Sequence, residues 1–538
     1  MAVNHLVVGS NPTVGANLSR HHSLMAAFFI YVYTKTRGLQ MSEKNQAEPT
    51  IDINEQIQQR IEKVADWQAA GVKPFGQRFD NRIQSSDAKA LFVEDAEEQA
   101  TVTVAGRIMS FRDMGRSIFA DVKDFSGRMQ VYIAKNKIGE DAFKMFKKID
   151  MGDIVGVTGP IFRTKTGEIT IKATGYELLT KGLRPLPEKY HGLTDVEQRY
   201  RQRYVDLIAN EDSMRVFKQR IGIVSEIRNY MQGLGYLEVE TPMLQAQAGG
   251  ASARPFETYY NALGSDMVMR VAPELNLKRL LVGGFEKVFE LNRNFRNEGL
   301  SKKHNPEFTV LEAYEAFGDC RSMMDLVEGM ITTAATNVIG TLQIEHKNGN
   351  TINLTTPWRR VTYEDLIKEY GGEDWYTLSK EEKVAKLAEF KVHGDVNYDD
   401  AKLTHELYDR HIEGQLIQPT FVTRVPVEHV PLAKKCEDDA TKVDVYELII
   451  NGQEMAPGYS ELNDPFDQRQ RFEDQVAMMA GSEEEKSSAI DEDFLTALEY
   501  GMPPAGGMGI GIDRLVMLLT GAETIRDVIL FPQLKQLR

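Results

Sequence analysis

Hydrophobic residues first recur at helical spacing and later alternate with polar residues along the chain. Residues 53–70 predict an amphipathic helix, because one face carries an apolar stripe of Ile57, Ile61, Val64 and Trp67. From residue 101 the repeat shortens to two residues, which is typical of half-buried strands. Strands are predicted over residues 101–108, 117–122, 128–133, 153–163 and 168–178. A short helix over residues 140–148 separates the third strand from the fourth.

Five strands with a helix between the third and the fourth follow the order of an OB-fold barrel. Residues 101–184 carry 15 Lys and Arg against 9 Asp and Glu, a net charge of +6. The whole chain has a net charge of -15, so the remaining residues carry -21. A basic barrel with aromatic residues suits single-stranded nucleic acid, since rings stack on bases and cations contact phosphates. The alternative is a purely structural barrel with a solvated charged face.

A proline-rich segment at residues 183–187 marks the end of the barrel. Beyond it, helical and strand-like patterns follow one another. Helices are predicted over residues 200–208, 214–234, 363–370 and 380–387. Strands are predicted over residues 267–271, 287–292 and 309–317. These elements indicate an antiparallel sheet flanked by helices, with a helical insertion around residues 361–420.

The predicted fold class is α+β, with a five-stranded OB-fold β-barrel at residues 101–182 and a sheet-and-helix domain at residues 183–538. Residues 41–100 form a linker and the N-terminal helix. Residues 1–40 are a leader that is disordered or not native to the protein. Its apolar run, at residues 24–33, is shorter than the roughly 20 residues of a membrane-spanning helix, and a signal peptide is the alternative. No membrane partner is expected.

Composition narrows the class of protein. With 42% hydrophobic and 27% charged residues among 538, the chain is typical of soluble proteins with more than one core. Its two cysteines, Cys320 and Cys436, are far apart in sequence and indicate neither a disulfide framework nor a zinc site. A reducing cytoplasm is the predicted location. The negative net charge argues against a protein that coats nucleic acid with its whole surface.

The strongest chemical signal comes from residues 295–308 and 507–514. They supply two arginines, a histidine and an aromatic ring, namely Arg296, Arg514, His304 and Phe308. The planar guanidinium of arginine binds a phosphoryl group through two hydrogen bonds, and an aromatic ring or a second arginine can cover the face of a purine. Together these residue types predict an ATP site.

Glycines 507, 509 and 511 by themselves allow another interpretation, a dinucleotide-binding turn. That turn needs a strand before the glycines and an acidic residue about 20 positions after them. Here Pro503 and Pro504 precede the glycines, and Glu523 and Asp527 follow too closely. The combination with residues 295–308 therefore favours ATP over a dinucleotide.

Three segments in this order resemble the motifs of class II aminoacyl-tRNA synthetases. Residues 235–244 are similar to motif 1, residues 295–308 to motif 2 and residues 507–514 to motif 3. The resemblance implies that residues 183–538 are a class II catalytic domain, which activates an amino acid with ATP. An amino acid carries an ammonium and a carboxylate group, so its pocket needs an acid and a base. Arg296 can bind the carboxylate.

The nearby acids indicate the kind of amino acid. Glu274, Glu312 and Glu461 outnumber the single α-ammonium of a substrate, and unpaired buried carboxylates are unfavourable. A cationic side chain resolves the surplus, and lysine is the natural match. The resemblance then becomes closer, to bacterial-type class II lysyl-tRNA synthetases, and covers most of the chain after the leader. It is carried by residues 193–204, 293–309 and 525–532.

This closer resemblance implies a set of site residues. The lysine-binding residues are Gly250, Glu274, Arg296, Glu312, Tyr314, Tyr459, Glu461 and Gly511, with Tyr314 and Glu461 at the ε-ammonium. The ATP-binding residues are Arg296, Glu298, His304, Asn305, Phe308, Glu447 and Arg514. The residues implied in catalysis are Arg296, Glu298 and Arg514. The carboxylates implied for Mg²⁺ are Glu447 and Glu454. The anticodon-binding residues are Arg107, Phe119, Gln130 and Glu168.

The implied function is the ATP-dependent attachment of L-lysine to tRNA(Lys) through a lysyl-adenylate, with Mg²⁺ as cofactor and a homodimer formed through motif 1. Two positions depart from the family, which usually has an aromatic residue at Asn276 and an asparagine at Pro457. Both bear on fine specificity. The alternatives are activation of another cationic amino acid, modification of a protein lysine, and a catalytically silent RNA-binding regulator.

Overall fold

Two separate units make up the described chain, which divides after Pro185 in this computed structural model. The structure describes residues 53–187, 193–251, 253–427, 430–479 and 490–536. The predicted leader, residues 1–40, and the start of the linker lie outside the described residues. Within the described ranges, no helix has the length and apolar character needed to cross a membrane.

The first unit is a barrel of six strands preceded by a helix. Its strands are β1 Thr101–Asp113, β2 Ser117–Lys123, β3 Arg128–Ala134, β4 Ile154–Arg163, β5 Ile169–Lys172 and β6 Gly175–Thr180. Its helices are α1 Ile53–Ala69, α2 Ser85–Ala90, α3 Lys135–Ile138 and α4 Glu140–Phe146. The strand order is β1-β2-β3-β5-β4-β6, and the barrel closes because β1 also pairs with β4. Alternate residues point into a buried apolar core that includes Val104, Ile118, Val131, Val157 and Ile171.

The predicted fifth strand, residues 168–178, proves to be two strands. β5 pairs with one end of β4 and, in parallel, with β3, whereas β6 pairs with the other end of β4. The chain changes partner between them, where Ala173 donates its backbone N–H to Tyr132 and Thr174 donates to Thr158. The hydrophobic alternation shifts phase at this step, from Ile169, Ile171 and Ala173 at odd positions to Tyr176 and Leu178 at even ones, so the sequence did carry a signal of the break.

Helix α1 packs on the barrel through fewer residues than its sequence predicts. Ile57 and Trp67 are buried, but Ile61 is exposed. The buried side chain of Arg60 adds a polar anchor, since its Nη1 donates to the carbonyl oxygens of Gly182 and Arg184 at 3.0 and 3.1 Å. The helix is therefore fastened to the end of the unit by a charged group as well as by apolar contact.

The second unit is built on a large mixed sheet. Its strands are β7 Leu237–Glu238, β8 Leu244–Gln245, β9 Glu257–Tyr260, β10 Ser265–Met269, β11 Lys287–Phe295, β12 Glu307–Ala316, β13 Gln343–Glu345, β14 Thr351–Asn353, β15 Arg359–Thr362, β16 Thr420–Thr423, β17 Val445–Ile449, β18 Glu454–Ser460 and β19 Ala505–Gly511. Eight of them form one sheet in the order β15-β16-β17-β18-β19-β12-β11-β7. The six central strands are antiparallel, and a parallel strand is added at each edge.

Helices cover this sheet and form the insertion. They are α5 Val196–Arg201, α6 Arg203–Ala209, α7 Glu211–Gly233, α8 Glu274–Val282, α9 Cys320–Ala334, α10 Tyr363–Gly371, α11 Lys380–Glu389, α12 Asp400–Leu407, α13 Pro465–Met479, α14 Glu492–Glu499, α15 Ile512–Thr520 and α16 Ile525–Val528. Local sequence starts several of them. Asp319 and Ser379, for example, form capping boxes with Ser322 and Glu382. The helices α10, α11 and α12 of the insertion pack around Trp375 in an apolar cluster that also includes Val422 of β16 and Val445 and Ile449 of β17.

Glycines 507, 509 and 511 lie inside β19, between the antiparallel strands β12 and β18, and not in a turn after a strand. The dinucleotide-binding alternative is therefore wrong. At Gly507 the reason for glycine is space, because a β-carbon there would lie 1.9 Å from Oε1 of Glu461. The absence of a side chain lets β19 pass close beneath that carboxylate.

One buried carboxylate of motif 3 joins the long helix that precedes motif 1 to the strand that carries the end of motif 2. Asp513, at the start of α15, is 2% exposed. Its Oδ1 accepts a hydrogen bond from Nη1 of Arg220 on α7 at 2.6 Å, and its Oδ2 accepts one from the backbone N–H of Thr309 on β12 at 2.7 Å. The long helix before motif 1 is thus held in register with motif 2 and motif 3.

We expect Asp513→Ala to destabilise the second unit by about 3–5 kcal/mol, because it leaves the Arg220 guanidinium unpaired. Chemical denaturation followed by tryptophan fluorescence measures this, since Trp358 and Trp375 lie in the second unit. The control is Asp212→Ala, which removes an exposed ion pair with Arg215 on α7 and should change stability by less than about 0.5 kcal/mol. Equal shifts for the two variants would contradict the role of Asp513.

Candidate active site

A pocket of ≈ 370 Å³ opens over β12 and β19 and gathers residues from motifs 2 and 3. Most of the predicted site residues line it, namely Gly250, Glu274, Arg296, Glu298, His304, Asn305, Phe308, Glu312, Tyr314, Glu454, Tyr459, Glu461, Gly511 and Arg514. Glu447 is predicted for the same site but is not among the lining residues. The pocket has one pole rich in arginine and another rich in glutamate.

Arg296 and Phe308 form the first part of the basic pole. The Arg296 guanidinium carbon lies 5.2 Å from the centroid of the Phe308 ring, a cation–π contact. Its Nε is buried and has no hydrogen-bond partner within the described residues. A buried donor without a partner is unfavourable, so this guanidinium is set up to receive an anionic ligand.

His304 and Arg514 complete the basic pole. His304 lies between two neighbours, with Nδ1 2.8 Å from Oγ of Ser301 and Nε2 3.3 Å from Nη2 of Arg514. Burial and the charge of Arg514 lower the pKa of His304, which favours the neutral imidazole. Nη1 of Arg514 donates to the backbone carbonyl of Glu454 at 3.0 Å. The arginine is thereby fixed at the mouth of the pocket with a neutral hydrogen-bonding group beside it.

The acidic pole consists of Glu274, Glu312 and Glu461, all buried. Tyr459 donates its hydroxyl to Oε1 of Glu274 at 2.7 Å, and Tyr314 donates to Oε2 of Glu312 at 3.0 Å. Burial and the neighbouring Glu274 raise the pKa of Glu312 to about 8. Three carboxylates at one end of a pocket make it suited to a ligand that brings cationic groups there.

Lys278 also belongs to the acidic pole, although the sequence did not predict it as a site residue. It is a cation of the protein itself that contacts two of the three carboxylates. Its side chain is fully buried, and its Nζ lies 2.8 Å from Oε1 of Glu274 and 2.5 Å from Oε2 of Glu461. Burial lowers the pKa of Lys278, but the two ion pairs outweigh it and the pKa is raised. One signal was available in the sequence, since Glu274 and Lys278 are four residues apart on a helix.

Glu447, Glu454 and Glu413 form a second acidic group beside the pocket. Tyr408 of the insertion donates to Oε2 of Glu447 at 3.0 Å, and burial together with Glu454 raises the pKa of Glu447 to about 7. Oε1 of Glu413 accepts from the backbone N–H of Glu454 at 3.3 Å. Within the described residues, no group of three or more potential ligands is arranged to hold a metal ion.

The chemistry of this group nevertheless fits Mg²⁺. The ion prefers carboxylate oxygens and usually takes only one or two from the protein, with water and phosphate oxygens completing its shell. Glu447 and Glu454 supply such oxygens, and the raised pKa of Glu447 shows that its negative charge lacks compensation. A divalent cation held by these two side chains would provide it.

The two departures from the family lie at different distances from the ligand space. Pro457 lines the pocket on β18, opposite Glu447 in the strand register. Asn276 is not among the lining residues, and its Oδ1 accepts a long hydrogen bond of 3.4 Å from Nη1 of Arg279 on α8. Pro457 is therefore the departure with direct access to a ligand.

The barrel places its predicted nucleic-acid residues unequally. Phe119 is opposite Tyr132 in the strand register, with ring centroids 4.9 Å apart. Oε1 of Gln130 accepts from Oγ1 of Thr170 at 2.9 Å. The other two predicted residues are engaged within the unit: Arg107 donates to the carbonyl of Gly152 at 2.7 Å, and Glu168 forms an exposed ion pair with Lys89 at 2.9 Å.

Comparison with known proteins finds a matching family for each of the two units. Residues 195–535 match the family of tRNA synthetases class II (D, K and N), and residues 102–179 match the OB-fold nucleic acid binding domain. The antiparallel sheet with Arg296 and Arg514 at its pocket therefore belongs to a class II tRNA synthetase, and the predicted α+β fold class is confirmed.

The curated relatives narrow the family further. Lysine–tRNA ligases of Staphylococcus aureus strains MRSA252, Mu3 and MW2 are each 48% identical to this chain over 495 residues. The aligned part is 90% of this chain and 99% of each relative. The chain belongs to the lysine–tRNA ligase family, as the resemblance in residues 193–204, 293–309 and 525–532 predicts.

We expect Glu312→Gln to stabilise the empty protein, and more so as the pH rises. A carboxyl with a folded pKa of about 8 and an ordinary value of 4.5 binds its proton more tightly when folded, so stability is lost as the pH rises through this window. Glutamine does not titrate. The gain in melting temperature should be about 2 °C or more larger at pH 8.5 than at pH 5.

Thermal unfolding of the parent and the variant at the two pH values measures this gain. Glu389→Gln, a substitution at an exposed position of α11, is the matched control. A gain that is the same at both pH values would show that Glu312 does not hold its proton in the folded protein.

Proposed function

We propose that this protein attaches L-lysine to tRNA(Lys) in two steps driven by ATP, as part of translation. The observation that carries the proposal is the two-pole pocket of a chain in the lysine–tRNA ligase family. Arg296 and Arg514 face it from one end, and Glu274, Glu312 and Glu461 from the other. A basic pole suits phosphates and an α-carboxylate, whereas the acidic pole suits two ammonium groups.

In the first step, ATP binds at the basic pole. The adenine stacks on Phe308 with Arg296 nearby, while Arg514 and His304 contact phosphate oxygens, and Glu298 and Asn305 complete the nucleotide contacts. The lysine carboxylate attacks the α-phosphorus, the bond from that phosphorus to the bridging oxygen breaks, and pyrophosphate leaves. Arg296 and Arg514 contribute by positioning the reactants and by stabilising the charge that develops on the phosphoryl group.

Glu447 and Glu454 would hold Mg²⁺, which would neutralise part of the phosphate charge. The contribution of the chain is to keep these two carboxylates beside the pocket, with Tyr408 hydrogen-bonded to Glu447 at 3.0 Å. Their oxygen chemistry and the raised pKa of Glu447 support the assignment.

Lysine binds between Gly250, Gly511 and the acidic pole. Its α-carboxylate pairs with Arg296, and its α-ammonium pairs with Glu274 and Glu312. Glu461 and Tyr314 receive the ε-ammonium, and the Tyr459 ring lies against the aliphatic chain. The hydroxyl of Tyr459 already donates to Glu274, which keeps that carboxylate oriented toward the pocket.

In the second step, the 3′-hydroxyl of the terminal adenosine of tRNA attacks the carbonyl of lysyl-adenylate, and AMP leaves. The OB-fold barrel selects the tRNA through its anticodon. Phe119 offers a ring for base stacking and Gln130 a hydrogen-bonding amide, while Arg107 and Glu168 must exchange their present partners for RNA. Stacking of a base on an aromatic ring contributes about 1–3 kcal/mol.

A homodimer formed through motif 1 is part of the proposal. Leu234, Leu237 and Leu244, in or beside that motif, are 45%, 55% and 48% exposed, so they are available for apolar contact with a partner. We also propose a cytoplasmic location, as the cysteines predict. Cys320 and Cys436 are both free and buried.

ATP–pyrophosphate exchange with the purified full chain and a panel of amino acids tests the chemistry. Exchange with lysine alone supports the proposal and shows that Asn276 and Pro457 are compatible with lysine. Exchange with another amino acid assigns a different substrate and points to Pro457. A lack of exchange with every amino acid, in a folded protein that binds tRNA, would favour the silent RNA-binding regulator.

Two substitutions test the division of labour between the units. We expect Arg296→Ala to lower the exchange rate by about a hundredfold or more, because it removes a preorganised charge at the reacting phosphorus. Phe119→Ala should leave exchange unchanged and lower kcat/KM for tRNA charging by about tenfold. Equal loss of exchange in both variants would show that the proposed division is wrong.

A further inference from the structure

Lys278 places a permanent cation in the acidic pole of the pocket. Its Nζ is in contact with Glu274 at one side and Glu461 at the other, and it lies 5.6 Å from the centroid of the Tyr459 ring. The side chain is 0% exposed. The ammonium group therefore has fixed protein partners in place of water, and it joins α8 to the segment that follows β18.

Glu461 depends on this contact. It is 1% exposed, and neither of its carboxylate oxygens accepts a hydrogen bond within the described residues. The ion contact of Oε2 with Lys278 is 2.5 Å long, whereas Oε1 has no polar partner and lies against Gly507. An ionised carboxylate so deeply buried needs a nearby cation. Lys278 supplies it and leaves one oxygen free for a ligand.

The charges of the pole then match a particular class of substrate. When a cationic ligand is bound and all three carboxylates are ionised, the pole carries three negative charges, and Lys278 cancels one of them. Two remain, which equals the number of ammonium groups in a diamino acid. We propose that Lys278 is a specificity-determining positioning residue, which adjusts the pole to two ammonium groups and keeps Glu461 oriented toward the side-chain ammonium. This inference rests on the proposed lysine activation.

A purely structural role is the competing explanation. Lys383 shows what such a role looks like, because it is also buried and pairs with Asp400 of the insertion at 2.6 Å, beside the Trp375 ring. A lysine of that kind holds two helices together and has no effect on ligand selectivity. The two explanations differ in their dependence on pH and on the ligand's side-chain charge.

Removal of Lys278 changes the ionisation of its partners. The charged and titratable groups that surround it are Glu274 on α8, Glu312 and Tyr314 on β12, Tyr459 on β18 and Glu461 after it, with Arg270 and Arg296 farther away. Burial raises the pKa of Glu461, and Lys278 is the cation that opposes this rise. Without that cation the pKa of Glu461, already raised to about 8, rises further, so less ionised carboxylate is available at neutral pH to bind an ammonium. Raising the pH restores the carboxylate in part.

The experiment compares Lys278→Met with the charge-preserving Lys278→Arg and with Lys383→Met as the matched control. Pyrophosphate exchange is measured with lysine and with norleucine, which has the same chain without the ε-amine, at pH 7 and pH 8.5. For Lys278→Met we expect the preference for lysine over norleucine, as a ratio of kcat/KM, to fall by about tenfold or more at pH 7. The loss should reside in KM and be smaller at pH 8.5.

Lys278→Arg should keep the preference for lysine, and Lys383→Met should leave it unchanged. Equal losses for lysine and norleucine, or a loss that does not vary with pH, would overturn the inference. If Lys278→Met does not fold, Lys278→Arg decides: a kept preference supports the charge-matching role, and a lost preference contradicts it. Lysine binding by calorimetry without ATP gives the same comparison independently of catalysis.

The result also separates the two claims. Absence of lysine exchange in the parent protein refutes the proposed function. Lysine exchange in the parent with an unchanged lysine preference in Lys278→Met leaves the proposed function intact and refutes only the role of Lys278.

Discussion

The arrangement of the pocket depends on the buried carboxylate of Asp513. Through Arg220 it holds the long helix α7, and through the backbone of Thr309 it holds β12, the strand that carries Phe308, Glu312 and Tyr314. Asp513 is adjacent to Arg514 in the sequence. The contacts that fix Asp513 therefore also fix the backbone from which Arg514 reaches the pocket. The register of β12 with β19 then brings Glu312 opposite Gly509 and Tyr314 opposite Gly507. Both poles of the pocket are thus set by one helix start.

The proposed chemistry needs no nucleophile from the protein, and the structure is consistent with this. The pocket acts through electrostatics, because side chains of one charge lie where ligand groups of the opposite charge bind. Such a pocket is unfavourable when empty, as the raised pKa of Glu312 and the unpartnered Nε of Arg296 show. Polar groups that are unsatisfied in the free protein and satisfied by the ligand give selectivity, because a ligand lacking the matching group leaves them buried and alone.

Much of this could be predicted from the sequence, and the failures have physical causes. Hydrophobic periodicity located the strands of the barrel and, in the large sheet, β11 and β12, but it did not predict β15 to β19. It did not separate β5 from β6, because the one-residue phase shift between Ala173 and Tyr176 is also what a β-bulge within one strand produces. The resemblance to the three motifs predicted most of the site residues that line the pocket. Lys278 was not predicted, because a lysine on a helix is usually solvated. Only the fold shows that its Nζ contacts Glu461. The hydrogen bond of Arg107 to Gly152 was equally invisible, as it joins residues 45 positions apart.

Glu312 allows the pocket to bind and release a proton. With a pKa of about 8, this carboxyl group is mostly protonated in the empty protein at neutral pH. A cationic ligand favours its ionised form, so occupation of the pocket expels a proton into the surrounding water, and departure of the ligand takes one up. Ligand affinity and acidity are therefore linked, and a fall in pH returns the pocket toward its empty state. The carboxyl group that recognises charge also couples each round of binding to the proton concentration of its surroundings.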